Sequence, residues 1–149
     1  MGAAIIAVVG TLCGGLLTWF AADWRARSER RRRELREAVL GVLKAFVQFR
    51  TEQYRKVDAR REGASAGGEL RDARWAARSA LTTAIDELYA ATTDRGMLET
   101  AEAARLVAIE IGDAATPDGV DEDAVAAAGR RAREIHTSLR LTAHRTLNH

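Results

Sequence analysis

The sequence predicts an all-α protein, with one N-terminal transmembrane helix continuing into a cytoplasmic helical bundle of about four helices, one of them long. Three observations carry that expectation. Alanine occurs 30 times and proline once among the 149 residues, so strong helix formers dominate and turn punctuation is scarce. Residues 2–22 carry no charged side chain, and a helix of that length rises ~31 Å at ~1.5 Å per residue, matching a hydrocarbon core of ~30 Å. Beyond residue 34, apolar residues recur at steps of three and four, the period of a helix with one buried face. The length suits one domain with an appendage. The chain accordingly divides into an anchor at 1–24, a basic juxtamembrane segment at 25–34 and a bundle at 35–149.

The first segment reads as a reverse signal anchor. A cleaved leader places its positive charge before the apolar run, whereas here every nearby arginine follows it. Excess positive charge stays on the cytoplasmic side, which puts the N-terminus outside the cell membrane and the bundle in the cytoplasm. Trp19, Phe20 and Trp24 fall at the inner membrane interface, where amphipathic rings are favoured. On a helical wheel Ala3, Ala7, Gly10, Gly14, Thr18 and Ala21 share one face. That face is entirely small, and Gly10 and Gly14 form a GxxxG pair that permits close backbone approach in lipid. Association through it is expected, with a second copy or with another membrane protein.

Net charge is only +2, but it is segregated. Arg25, Arg27, Arg30, Arg31, Arg32, Arg33 and Arg36 crowd one short stretch, while 113–123 holds five acids and no base. The arginines lie all around the helix and cannot form a core face; pairs such as Arg30/Glu34 and Glu29/Arg33 support helicity. Anionic headgroups are their expected partners, at about 1 kcal/mol per basic residue near the surface. Contact with DNA phosphates is the alternative.

Along the bundle, Leu35, Val39, Val42, Leu43, Phe46, Val47, Phe49, Tyr54 and Val57 predict an amphipathic helix needing partners, in its own chain or in a second copy. EGASAGG (62–68) breaks it. Leu70, Ala73, Ala77, Leu81, Ala84, Ile85 and Leu88 predict a helix from about 69 to 93, with Trp75 and Tyr89 bordering its packed face. A shorter helix follows over about 97–114 through Leu98, Ala101, Leu106, Ile109 and Ile111. ATPDGVDED reads as a loop: Pro117 cannot continue a helix, Asp118 can cap the next, and Asp121, Glu122 and Asp123 suit a first helical turn. A last helix, about 120–147, shows a coiled-coil-like seam through Val125, Ala128, Ala132, Ile135, Leu139 and Thr142.

No glycine-rich phosphate loop, paired-cysteine site or nucleophile elbow occurs. Cys13, the single cysteine, lies inside the expected span, and His136 and His144 are two turns apart, too far to share an ion unaided. The reading is a protein without enzymatic activity, cofactor, metal or small-molecule substrate.

The GTLCGGLLT span, the RARSERRRRELREAV continuation and ELYAAT within a helical tail resemble the KilB-type proteins of actinomycete conjugative elements. The resemblance implies a single N-terminal span, a helical cytoplasmic part, a role in spreading transferred plasmid DNA through the mycelium, and toxicity when production is uncontrolled. The function expected is therefore that of a membrane-anchored helical interaction or scaffold protein assisting plasmid transfer, with itself or a DNA-translocating ATPase as partner. The alternatives are a membrane-perturbing, holin-like oligomer and a membrane-tethered DNA-binding module.

Overall fold

The computed structural model describes the backbone of residues 2–64 and 67–148, and the side chains of 23–64 and 67–146. Four helices carry the fold: α1 (Gly2–Arg61), α2 (Gly68–Ala91), α3 (Arg95–Asp113) and α4 (Glu122–Asn148). A small antiparallel pair, β1 (Ala115–Thr116) and β2 (Gly119–Val120), joins α3 to α4. The chain divides into two compact units, Met1–Glu34 and Leu35–His149. Among the described residues no helix is long and apolar enough to cross a membrane. The expected span, its small face (Ala3, Ala7, Gly10, Gly14, Thr18, Ala21) and the interface residues Trp19 and Phe20 lie outside the described side chains.

In the second unit the four helices alternate in direction. Arg61 meets Glu122, Tyr54 abuts Gly129 and Phe46 packs on His136, so α1 and α4 run antiparallel. Glu110 pairs with Arg131 while Asp94 accepts from Thr146, which makes α3 and α4 antiparallel as well. Gly41 lies against Ala84, whereas Phe49 and Lys56 share a cavity with Arg74 and Arg78; α2 therefore runs opposite to α1.

The stripe on α1 is used within its own chain. Val39, Val42, Phe46, Phe49 and Val57 are buried, joined by Leu81, Ile85 and Leu88 of α2, Met97, Val107 and Ile111 of α3, and Val125 and Leu139 of α4. Burying each of the larger side chains stabilises by ~1.5–3 kcal/mol. Alanines fill the rest: Ala101, Ala104 and Ala108 of α3 and Ala128, Ala132 and Ala143 of α4 are all buried.

Four residues expected on or beside packed faces are exposed instead: Val47, Trp75, Tyr89 and Leu106. The cause is angular. On a 100° wheel Leu106 lies about 180° from Met97, while the smaller Ala101, Ala104 and Ala108 centre on the buried side. The helix turns its alanines inward because they let a neighbouring helix come close, and Leu106 is left outside. Trp75 and Tyr89 likewise stand about 160° and 120° from Ala77.

Helix ends follow local chemistry. Gly63, at φ +70°, ends α1, with Ala64 N–H donating to Ala59 C=O and Gly63 N–H to Arg60 C=O; this is the left-handed cap that glycine adopts without a Cβ clash. Asp94 caps α3 by accepting from Met97 N–H at 3.1 Å. The segment read as a loop closes as the β1–β2 pair around Pro117 and Asp118, with Ala115 opposite Val120. The cap of α4 is consequently Asp121, which accepts from Ala124 N–H at 2.9 Å, rather than Asp118. Glu122 and Asp123 occupy the first turn.

Two predictions follow from packing at the helix crossings. A Cβ at Gly41 would sit 3.9 Å from the Ala84 Cβ, an ordinary contact, but one at Gly112 would clash with Gln53 Oε1 and stand 2.7 Å from its Cδ. Gln53 is 8% exposed, so yielding to that Cβ would swing its amide out of a buried seat and into the cavity it lines. Gly41→Ala should stabilise the chain by about 0.5–1 kcal/mol through helix propensity. Gly112→Ala should destabilise it, overpacking of ~1–3 kcal/mol outweighing that gain. Urea denaturation of both variants checks the opposite signs.

His136 is half-buried with its ring centroid 6.1 Å from that of Phe46. Burial, reinforced by Arg50 and Arg140, holds its pKa below the ordinary histidine value. The folded state thus resists protonation that the unfolded chain accepts, so stability falls as pH drops below about 6.5 and levels off under the folded pKa. Denaturation midpoints between pH 5 and 8 should show this slope, and His136→Gln should flatten it.

Candidate functional site

In the first unit Arg25, Arg27, Arg30, Arg31, Arg32 and Arg33 are exposed on one continuous helix, and Trp24 beside them is 78% exposed. Asp23 pairs with Arg27 at 2.5 Å, Glu34 with Arg30 at 3.7 Å and Glu29 with Arg33 at 3.8 Å. These are surface pairs one helical turn apart, of small energetic value each. Arg36, in the second unit, is also exposed. The six arginines of the first unit are therefore solvent-facing along their helix.

The built concavity lies elsewhere, among residues the sequence did not single out for function. Phe49, Gln53 and Lys56 of α1, Arg74, Trp75 and Arg78 of α2, and Ile109 and Asp113 of α3 line a cavity of about 150 Å³. Helical spacing produces the lining: Phe49, Gln53 and Lys56 are one turn apart along α1, and Arg74 and Arg78 one turn apart on α2. The floor includes Phe49, 1% exposed, and Gln53, whose amide presses against Gly112.

Lys56 Nζ donates to Gly112 C=O at 2.6 Å, so the ammonium meets a carbonyl at the end of α3, where the helix dipole is negative. Burial lowers the Lys56 pKa, and Arg74 lowers it further, against an opposing pull from Asp113. Arg78 lies 5.7 Å from the centroid of the Trp75 ring, a cation–π arrangement on a 63% exposed indole. Neither Arg74 nor Arg78 has an ion pair among the described residues. The lining thus sets three cations against one carboxylate, a local excess of positive charge in a concave site.

A second, more open groove of about 550 Å³ between α3 and α4 is lined by Glu110, Asp113, Asp121 and Arg131 over alanine walls. Two of its acids are engaged: Glu110 pairs with Arg131, and Asp121 caps α4. Among the described residues no group of three His, Cys, Asp or Glu side chains converges as metal ligands do. His136 sits against Phe46, while His144 is exposed two turns further along α4.

Together these elements define an alanine-rich, up-and-down four-helix bundle carrying a cationic cavity. The family described as KilB plasmid transfer protein matches residues 36–147, nearly the whole of the second unit, and the chain belongs to that family. No curated protein and no solved structure matches it.

The chain has two lysines, Lys44 and Lys56, so side-chain nitrogen NMR resolves both. Lys56 should titrate below the ordinary lysine value, and Arg74→Gln should move it upward without full recovery, because burial is the larger cause. An unmoved Lys56 titration in that variant would show that Arg74 does not act on the ammonium.

Proposed function

We propose that the chain is a non-enzymatic, single-pass membrane protein whose bundle serves as an interaction or scaffold module in conjugative plasmid transfer or spread. The observation that carries this reading is the match of the KilB family to residues 36–147, the portion that folds as the bundle. The anchor is read from the uncharged run at 2–22 and the arginines that follow it. With positive charge retained inside, the N-terminus faces out and the bundle the cytoplasm. Arg25–Arg33 then contact anionic headgroups, while the bundle is free to engage a second copy or a DNA-translocating ATPase.

A crosslinked pull-down of the full chain from native membranes tests both parts. The expected outcome is retention in the membrane fraction through an alkaline carbonate wash, with recovery of the chain itself and a DNA-translocating ATPase. Release by the wash would remove the anchor. Recovery of the chain alone in large assemblies would replace the transfer scaffold with a structural or membrane-perturbing oligomer.

A further inference from the structure

We propose that the cavity between α1, α2 and α3 binds the phosphate group of a small phosphate monoester, held by Lys56, Arg74 and Arg78, with the organic part of the ligand lying over Trp75. Donor inventory supports it first. An ammonium carries three N–H donors; Lys56 gives one to Gly112 C=O and retains two, held in a fixed place by that bond. Arg74 and Arg78 add guanidinium donors that meet no carboxylate among the described residues. Charge-assisted bonds from such groups to phosphate oxygens are among the strongest a protein makes.

Electrostatics point the same way. Gathering Lys56, Arg74 and Arg78 around one opening against the single Asp113 is a repulsive arrangement that a dianion reverses. Glu52, the nearest buried carboxylate along α1, is not among the lining residues and is bonded through Oε1 to Arg55 at 2.8 Å. The cations are therefore not spent on an internal partner.

Size and shape select the ligand. A cavity of about 150 Å³ floored by Phe49 and Ile109 admits one phosphate group with a few waters. A nucleic-acid strand instead needs an open groove tracking several successive phosphates. Trp75, 63% exposed on the α2 wall of the cavity with the Arg78 guanidinium over its ring, adds an aromatic surface suited to a planar ring attached to that phosphate. A nucleoside monophosphate meets both requirements. Binding alone is assigned to the site; no bond is made or broken there.

The test is calorimetry on the full chain in a maltoside detergent, with inorganic phosphate and a nucleoside monophosphate as probes, together with NMR of the Trp75 indole N–H. The expected result is saturable binding of both anions, with the indole resonance moved by the nucleotide. Arg74→Gln and Arg78→Gln should each weaken binding roughly tenfold or more, and Arg74→Lys should retain it. Arg130→Gln, exposed on α4 and outside the cavity, should bind as the parent does. Circular dichroism establishes that each variant is folded. The proposal is overturned by absence of saturable binding of either probe, by equal binding in folded Arg74→Gln, or by binding confined to oligonucleotides or anionic lipid vesicles.

Discussion

Close approach of helices over small side chains is the constraint on which the bundle depends. An alanine buries one methyl group, worth well under the ~1.5–3 kcal/mol of a buried leucine or phenylalanine, so a core rich in alanine gains its dispersion energy from short distances and many contacts. Gly112 and Gly129 carry this furthest. Gln53 and Tyr54, neighbours on α1, place their polar ends where Cβ atoms on α3 and α4 would stand. These two glycines let α1 set its polar side chains directly against two different helices. The larger residues Phe46, Phe49, Leu81, Leu88, Met97, Ile111 and Leu139 then fill the remaining interior.

Polar chemistry follows from the same closeness. With its Nζ 2.6 Å from the Gly112 carbonyl, Lys56 reaches α3 only because no side chain at 112 keeps α1 away. The contact fixes one wall of the cavity, and the antiparallel course of α2 supplies Arg74 and Arg78 for the other. At the far side of α1, Arg61 grips Glu122 through two bonds, which hold the Glu122 carboxyl below its usual pKa. That pair is exposed, so it sets register more than it adds stability. Asp94 acts similarly at the other end of the bundle, bonding Met97 N–H within α3 and Thr146 of α4.

Helices were legible in the sequence because their signals are local and periodic. The four helical segments, the glycine-rich break after Arg61 and the seam of α4 through Val125, Ala128, Ala132, Ile135, Leu139 and Thr142, with Ile135 only partly buried, all follow from spacing and helix-breaking residues. Burial of Val39, Phe46 and Val57 also resolves whether α1 packs in its own chain, which spacing alone leaves open. The errors arise where residue size misleads. Leu106 looks like core by hydrophobicity and Trp75 and Tyr89 like its border, yet the buried side of each helix is set by where alanine permits contact. Asp118 and Asp121 both have capping chemistry, and only the turn at Pro117 and the pairing of Ala115 with Val120 decide between them. The cavity was invisible for another reason: Lys56, Arg74 and Asp113 stand on three helices, and no linear spacing unites them.

Composition nonetheless holds one signal that the structure explains. The chain uses arginine 21 times and lysine twice, so a lysine at 56 departs from its prevailing choice of cation. The site accounts for the departure. Lys56 is half-buried and directs a single donor at the Gly112 carbonyl in a confined crossing of α1 and α3. A compact ammonium on a flexible stem fits such a place, whereas a planar guanidinium would bring a wide fork of five donors to one acceptor. An ammonium also yields more readily to desolvation and to a neighbouring positive charge, which are the two influences lowering the Lys56 pKa. Arg74 and Arg78, on the more open α2 wall, face no such restriction and keep the broad donor geometry suited to an oxyanion. The division of labour between one lysine and two arginines is thus a consequence of where each stands: the first in the helix crossing, the others at the opening.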